Sequence, residues 1–511
     1  MEDAFALGKQ ELTIEKLVFL GKAPNPALQI DKQCFQNLLK YRQMVINGLE
    51  SSATIYGVNT GFGYLSQVKI PEEKLEQLQV NLIRSHACGV GEDAPLEVVR
   101  SLLVLRAHTF LLGHSGVSEE CINTILSFLK HDLLPRVPMK GSVGASGDLA
   151  PLAHLALGFI GEGEIYYQGK KHPAMHALKL AGVRPLKPAA KEGLSLINGT
   201  HFMTTLSAYA LKEANILAKS ADIIASMSLD AIRGTTAAFD LRIQKARPHP
   251  GQSQVARNIL MLHEGNDEIK ESHKGCDKVQ DPYSFRCVPQ VHGASRDTLE
   301  FVSQKLNIEL NSVTDNPLIF SEGDLVSGGN FHGQPIAMAM DFLAIAVAEF
   351  GSISERRIEK ITNPNLSGLP AFVTEEVGLN SGYMIPHVVA AALVSENKVL
   401  CHPASVDSIP TSADKEDHVS MGPIAARKAI EINKNVANIL AIELLASCQA
   451  IDLLKPLKPS PLLQVVYNNV RSQSPYMSND RSLRDDIEAL TDMISSGSLL
   501  NLIAHEGLNL H

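Results

Sequence analysis

The sequence predicts a mainly α-helical protein with a small amount of β structure. Five long segments carry apolar residues at helical spacing, and within them alanine and leucine are abundant while glycine and proline are sparse. One further segment, residues 164–171, alternates around Gln168-Gly169 in the way that a short β-hairpin does. The predicted helical segments are 202–240, 294–312, 334–361, 387–400 and 418–455.

The third of these segments is the most apolar. From Gln334 to Phe350 it is apolar almost all round, which is typical of a helix buried in a bundle or in an oligomer core. Asp341 and Glu349 interrupt the run, so we do not expect it to span a membrane.

Glycine and proline concentrate in the connections, at 57–63, 141–151, 281–293, 326–335 and 402–423. These loops hold nearly all the chemically interesting residues, an arrangement typical of proteins that carry functional loops on rigid helices. We place a domain boundary near residue 201. It separates a loop-rich N-terminal lobe, 1–201, from a long-helix domain, 202–511.

Composition limits the kinds of molecule that the protein is expected to bind. The formal net charge of −9 leaves no basic surplus for binding nucleic acid or an anionic membrane, so a small-molecule partner is expected. The seven cysteines never occur in Cys-x-x-Cys spacing, which argues against both a disulfide framework and a zinc site. With an N-terminus that does not look like a signal peptide, this pattern indicates a reducing cytoplasm.

The tripeptide Ala145-Ser146-Gly147 could form an electrophile from the backbone itself. Attack of the Gly147 nitrogen on the Ala145 carbonyl carbon would close a five-membered ring, and loss of two waters would turn Ser146 into a methylidene group. The product is a methylidene-imidazolone, and it needs no external cofactor. Glycine at the attacking nitrogen and alanine at the attacked carbonyl leave room for this approach. Taken alone, the same run also fits an ordinary small-residue turn before a helix.

Other loops offer polar candidates that have structural alternatives. Tyr56 lies among three glycines, and His86 precedes a glycine pair that would end a helix. Tyr283 and Arg286 stand three apart between prolines, where arginine could grip a carboxylate or simply form a surface ion pair. Most of the acidic residues within 412–420 are better explained as caps of the following helix.

We expect no metal site. The segment 172–176 places two histidines four residues apart, but it contains a proline and lacks the glutamate of a metalloprotease helix.

Taken together, these motifs resemble those of the aromatic amino acid ammonia-lyases. The resemblance covers about residues 10–505, and its motifs occur in the family's order. They are 56–63, 141–154, 196–200, 280–287 and 328–332. Ser85-His86 and the runs 380–387 and 410–421 most resemble members of the family that act on histidine.

The resemblance implies a fold, an assembly and a reaction. It implies long, nearly parallel helices in a homotetramer whose active sites are shared between subunits. It also implies that Ala145, Ser146 and Gly147 become the methylidene-imidazolone, and that ammonia is eliminated from L-histidine to give trans-urocanate, the first step of histidine degradation.

The resemblance further assigns roles to single residues. Tyr56 is implied as the base for the β-proton and Arg286 as the clamp on the substrate carboxylate. The resemblance places Asn198, Gln280 and Tyr283 around the electrophile, and His86, Phe331 and Glu416 around the side chain and amine of the substrate.

Two alternatives remain open at this stage. A tyrosine or phenylalanine ammonia-lyase, or an aminomutase, would use the same electrophile, and Glu416 carries most of the argument for histidine. A carboxylate beside a polar His86 suits an imidazole, whereas phenylalanine would require apolar walls. A non-catalytic helical scaffold is disfavoured by the presence of Tyr56, Ser146, Tyr283 and Arg286.

Overall fold

The computed structural model describes residues 4–50, 59–61, 67–276, 278–320 and 324–511. Most of these residues lie in helices, which confirms the predicted mainly α-helical class. The α-helices are α1 (Ile14–Lys22), α2 (Lys32–Glu50), α3 (Leu75–His86), α4 (Leu96–Phe110), α5 (Glu119–His131), α6 (Ala150–Phe159), α7 (Ala174–Ala181), α8 (Glu192–Ile197), α9 (His201–Ala231), α10 (Leu241–Ala246), α11 (Pro250–Leu262), α12 (Glu268–Ser272), α13 (Tyr283–Arg286), α14 (Val288–Leu310), α15 (Gln334–Thr362), α16 (Pro364–Ser367), α17 (Met384–Leu400), α18 (Gly422–Leu453), α19 (Pro461–Gln473), α20 (Arg484–Ser495) and α21 (Ser498–His505).

Short strands accompany the helices. They are β1 (Phe5–Leu7), β2 (Leu28–Ile30), β3 (Val90–Asp93), β4 (Leu134–Pro135), β5 (Pro138–Lys140), β6 (Glu164–Tyr167), β7 (Lys170–Pro173), β8 (Leu318–Ile319) and β9 (Leu325–Val326). Among the described residues they form four small sheets, with orders β1-β2, β3-β5, β4-β6-β7 and β8-β9.

The predicted hairpin is confirmed as β6 and β7, in which Tyr166 pairs with Lys171. Further strand pairs, which the sequence did not predict, are also present, because β1 pairs with β2 in parallel and β3 and β8 have partners as well. These further strands have two to four residues each, too few to show the alternation by which strands are recognised in sequence.

All five predicted long helices are present, as α9, α14, α15, α17 and α18. The first ends earlier than predicted. It stops at Ala231, after which Arg233 takes a φ of 51° and residues Thr236–Phe239 form a separate 3-10 turn. A left-handed residue cannot continue a right-handed helix, although the apolar pattern runs on past it.

The chain forms two compact units, each assembled from separate stretches of sequence. The first unit comprises residues 1–209, 303–341 and 403–427, and the second comprises 210–302, 342–402 and 428–511.

The core of the first unit centres on α4, which is buried continuously from Val98 to Phe110. It packs against α1 and α5, and the inner face of α5 repeats apolar residues at helical spacing. Helix α5 begins at a capped end, where Ser118 accepts a hydrogen bond from the Cys121 amide.

Long helices are joined in the second unit by a buried ion pair. The Arg357 guanidinium of α15 donates to both carboxylate oxygens of Glu443 on α18, one of them at 2.8 Å. Ser228 of α9 donates to the same carboxylate at 2.5 Å. Neither charged side chain is exposed to solvent, so each depends on the other for its compensation.

Two helices, α15 and α18, are long and apolar enough to cross a membrane by length and composition. In the most apolar stretch of each, 67% and 89% of the residues are buried inside the protein. This burial is typical of core helices, as predicted for the segment from Gln334.

The first unit contains a buried lysine, Lys191, and mutation can test how much its ion pair with Asp315 stabilises the fold. Lys191 Nζ donates to Asp315 Oδ2, Ser115 O and Ser195 Oγ, each at 2.9 Å, and its side chain has no exposure. Asp315→Asn should destabilise the fold by about 3–5 kcal/mol, because it leaves an uncompensated buried ammonium. The urea midpoint of unfolding measures this loss.

Glu162→Gln is the matched control, since it breaks the largely exposed pair of Glu162 with Arg84. We expect a cost of about 1 kcal/mol or less for that change. Equal losses in the two variants would contradict the importance assigned to the buried pair.

Candidate active site

The tripeptide 145–147 lies in the loop between β5 and α6, within the first unit. Ala145 and Gly147 are buried, whereas Ser146 is half-buried. Ala145 packs in an apolar cluster with Val419 and Met421, so the loop is seated on the segment that precedes α18.

Backbone hydrogen bonds hold the loop on that segment. The Met421 amide donates to Val143 O at 2.9 Å, and Ser420 Oγ donates to Gly144 O at 3.1 Å. A methyl group on Gly144 would lie 2.2 Å from Ser420 Oγ, so the contact requires glycine there.

On its other side the tripeptide pairs with the residues just before α9. The Asp148 amide donates to Gly199 O at 2.8 Å, and the Gly199 amide donates to Ser146 O at 3.2 Å. Gly147 has a φ of +79°, and a Cβ there would lie 2.1 Å from Gly199 O. Only glycine can occupy this position without displacing the neighbouring backbone.

Glu416 contacts Ser146 directly. Ser146 Oγ donates to Glu416 Oε1 at 3.1 Å, across 270 residues of sequence. The other carboxylate oxygen, Oε2, accepts hydrogen bonds from Thr411 Oγ1 at 2.9 Å and Ser412 Oγ at 2.7 Å. One oxygen is thus held by its own loop, and the other faces the tripeptide.

Asn198 ends α8 one residue before Gly199. Its side chain is buried, and among the described residues its Oδ1 has no hydrogen-bond partner. An orphaned buried amide oxygen beside the tripeptide calls for a hydrogen-bond donor, so the surroundings fit a group that is built or bound there.

The remaining predicted residues of the first unit are less closely tied to Ser146. His86 is the last residue of α3, and its Nδ1 lies 2.9 Å from Leu82 O. Phe331 is half-buried in the turn that precedes α15. Among the described residues, neither hydrogen bonds to Ser146 or Glu416.

Gln280, Tyr283 and Arg286 belong to the second unit, around the short helix α13. The Arg286 guanidinium lies 4.5 Å from the centre of the Tyr283 ring, a cation–π contact. Tyr283 is 71% exposed, and Gln280 is exposed as well. Tyr56, the predicted base, lies outside the described residues.

The role of Asp148 was not predicted from the sequence. Its fully buried carboxylate accepts hydrogen bonds from the Phe202 amide at 2.5 Å and the Met203 amide at 3.1 Å, in the first turn of α9. Burial raises the pKa of Asp148 to about 7, although these two bonds oppose the shift. The cap comes from 54 residues away, so no local signature could reveal it.

Arg106 was missed for the same reason. This buried guanidinium donates to Ser195 O, to Asn198 O at 3.3 Å and to His201 Nδ1 at 2.9 Å. Burial lowers the pKa of Arg106 to about 10. Arg106 therefore holds the segment that carries both Asn198 and Gly199.

One group of described residues, in the second unit, could hold a metal ion. Asp230, His263 and Asp267 are buried with their ligand atoms within 4.8 Å of one another. His263 Nδ1 lies 3.1 Å from Asp267 Oδ2, and burial raises the pKa of Asp230 to about 7. A hydrogen bond from His263 to Asp267 accounts for that distance, so we assign no ion to this group.

The family follows from comparison of the whole chain. A model of the family described as aromatic amino acid lyase matches residues 12–472. The chain belongs to this family.

Individual members of the family are similar to this chain over almost its whole length. A histidine ammonia-lyase from Alkaliphilus oremlandii is 49% identical over 495 residues, which cover 97% of each chain. The crystal structure of histidine ammonia-lyase from Trypanosoma cruzi matches with a TM-score of 0.90 and 44% identity, over 98% of this chain and 95% of that one. A tyrosine aminomutase from Streptomyces globisporus matches with a TM-score of 0.94 and 36% identity, over 99% and 100% of the two chains.

The raised pKa of Asp148 predicts a dependence of stability on pH. Its folded-state pKa of about 7 lies above the ordinary value of about 3.9, so between these values the folded state binds more protons than the unfolded state. This contribution to the free energy of unfolding is complete at the acid end and is lost as the pH rises through about 7. Asp148→Asn, which cannot titrate, should lack it.

The measurement is the urea midpoint of wild type and Asp148→Asn from about pH 5 to about pH 8. We expect the wild type to lose more stability than the variant over this range. Parallel curves would show that Asp148 does not titrate in this window.

Proposed function

We propose that this chain eliminates ammonia from L-histidine to give trans-urocanate, the activity of a histidine ammonia-lyase and the first step of histidine degradation. The observation that carries the proposal is the contact between Ser146 and Glu416, which puts a carboxylate 3.1 Å from the central residue of an Ala-Ser-Gly tripeptide. Relatives with that name and about half of their residues identical support it.

The tripeptide 145–147 forms the methylidene-imidazolone, an electrophile that makes the amino group of the substrate a better leaving group. Two features of the described residues support this. A side chain at Gly147 would collide with the backbone of Gly199. The buried Oδ1 of Asn198, one residue before Gly199, has no hydrogen-bond partner among the described residues. No external cofactor takes part.

Proton removal and substrate orientation fall to residues in four other segments. Tyr56 takes the β-proton. Since free tyrosine has a pKa of about 10, its phenolate has to be stabilised by donors or positive charge. Arg286 grips the substrate carboxylate through two parallel hydrogen bonds. Gln280 and Tyr283 surround the reacting centre, and His86 and Phe331 line the side-chain end of the substrate.

Glu416 selects the imidazole. Its Oε2 is held by Thr411 and Ser412, which fix the orientation of the carboxylate. Its Oε1 accepts from Ser146 Oγ, and that hydroxyl leaves as water when the tripeptide matures. Oε1 then has a free lone pair for an imidazole N–H, a charge-assisted hydrogen bond that phenylalanine cannot make.

A second candidate activity is that of a tyrosine or phenylalanine ammonia-lyase or of an aminomutase. The structural match to a tyrosine aminomutase favours keeping it as an alternative. It shares the electrophile and differs in the substrate or in the fate of the amine, so turnover of different amino acids distinguishes it. A non-catalytic scaffold is the remote alternative.

The assembly is a homotetramer with active sites shared between subunits, in the cytoplasm. Support comes from α17, a helix of the second unit, where Ile385, Val388 and Val399 are 58%, 54% and 73% exposed. Apolar side chains clustered on one exposed helix are typical of an interface with another subunit.

Ser146→Ala tests the origin of the electrophile. Maturation removes two waters, so wild type should be lighter than its sequence mass by about 36 Da. Ser146→Ala has no hydroxyl to lose, so it cannot form the methylidene group, should lack the full mass loss and should be inactive. Native mass spectrometry measures the covalent mass and the number of subunits together. The variant should remain tetrameric.

An unshifted wild-type mass would exclude the modified tripeptide. Activity in Ser146→Ala would exclude the serine as its source.

Glu416→Gln tests the choice of substrate. Loss of a charged hydrogen bond, about 1.5–3 kcal/mol, should lower kcat/KM for histidine by about 10- to 100-fold. The measurement is the growth of ultraviolet absorbance with histidine, tyrosine or phenylalanine as substrate. Glu431→Gln, at an exposed glutamate of α18, is the matched control and should behave as wild type.

If wild type leaves histidine unchanged and converts tyrosine, the histidine assignment is wrong. The alternative activity then replaces it.

A further inference from the structure

The turn before α15 and the segment that carries Glu416 are joined by a pair of histidines in the first unit. His332 Nε2 lies 3.1 Å from the backbone oxygen of His418. The two imidazole rings stack with their centroids 5.6 Å apart and an angle of 30° between their planes. His332 follows Phe331 directly, and His418 stands two residues after Glu416.

The hydrogen bonds of His332 determine which ring nitrogen carries the proton. The Gln334 amide donates to Nδ1 at 3.3 Å, so Nδ1 has to offer a lone pair. The His418 carbonyl can only accept, so Nε2 has to carry the hydrogen. His332 thus has one acceptor nitrogen bonded to the start of α15 and one donor nitrogen directed at the Glu416 segment.

The His418 carbonyl lies between two sets of hydrogen bonds that hold the Glu416 segment in place. On one side, Glu416 pairs with Thr411 through two backbone hydrogen bonds, of 3.0 and 3.4 Å. On the other, Val419 donates to Ser408 Oγ at 3.0 Å, and Ser420 and Met421 anchor the tripeptide loop. A shift of residue 418 would therefore move Glu416 relative to Ser146.

A second bond ties Gln334, the first residue of α15, to the same segment. The Gln334 side chain donates to Ser405 O at 3.3 Å. The turn and the start of α15 are thereby attached at two points to residues 403–421, and His332 supplies the point nearer to Glu416.

We infer that His332 is a positioning residue, which sets the place of Glu416 by donating a hydrogen bond to the His418 carbonyl. The inference rests on the proposed function, in which Glu416 recognises the imidazole of the substrate. His332 does not itself touch the substrate in this role.

Two conservative variants separate the two nitrogens of His332. In His332→Gln the amide nitrogen reaches the place of Nε2 and can donate to His418 O. In His332→Asn the shorter side chain reaches the place of Nδ1 and can accept from Gln334, but it cannot reach His418. We expect kcat/KM for histidine to stay near wild type in the first and to fall about three- to tenfold in the second, the size of one neutral hydrogen bond.

A double-mutant cycle with Glu416→Gln tests whether the effect passes through Glu416. If it does, His332→Asn should cost little in the Glu416→Gln background, whereas a general structural role would give additive losses. Equal kcat/KM in the Asn and Gln variants, or additive losses in the cycle, would overturn the inference.

Hydrogen exchange supplies a readout that does not require turnover. The amides of Glu416, Ser420 and Met421 should exchange several-fold faster in His332→Asn and remain protected in His332→Gln. Unchanged protection in His332→Asn would overturn the positioning role. A wild type that lacks the loss of about 36 Da would instead count against the proposed function, so the two failures are distinguishable.

Discussion

The close pairing of Gly147 with Gly199 is the contact on which the site depends. It brings two backbones together without side chains between them, and a Cβ at position 147 would lie 2.1 Å from the opposite carbonyl oxygen. The next residue, Asp148, then caps α9 from the same loop. The loop that carries the tripeptide 145–147 is thereby attached to the start of a 31-residue helix.

Buried charges extend this anchoring through the first unit. Arg106 donates to two carbonyl oxygens before α9 and to His201, the first residue of α9, and Lys191 joins α8 to Asp315. Each such group loses its hydration on burial, so it remains only where protein acceptors replace water. In return, the loops gain fixed positions, which a site that orients a small substrate requires.

Much of the fold could be read from the sequence because long helices repeat their apolar residues over many turns. The five predicted helices are present, and the predicted hairpin pairs as expected. Local exceptions could not be read in the same way. Arg233 ends α9 by its backbone conformation, and strands as short as β8 have too few residues to show a period.

The candidate site was only partly predictable from the sequence. Ser146 and Glu416 were each identified from local motifs, and the structure places them in hydrogen-bond contact. Thr411 and Ser412, which hold the second oxygen of Glu416, look like ordinary loop residues in sequence. Asp148 lies inside the recognised motif, yet its role in capping α9 shows only in the folded chain.

The sequence by itself determined the helical class, and it singled out the tripeptide 145–147 and Glu416 as candidate site residues. The helical class follows from local residue types and spacing, whereas the tripeptide and Glu416 were singled out only by the whole set of motifs in the chain. The tertiary structure alone decided that Glu416 directs one oxygen at Ser146, that Asp148 is buried with a raised pKa, and that His332 reaches the Glu416 segment. Contacts between residues tens to hundreds of positions apart arise from packing of the folded chain. A sequence pattern likewise does not show whether a charged group is buried.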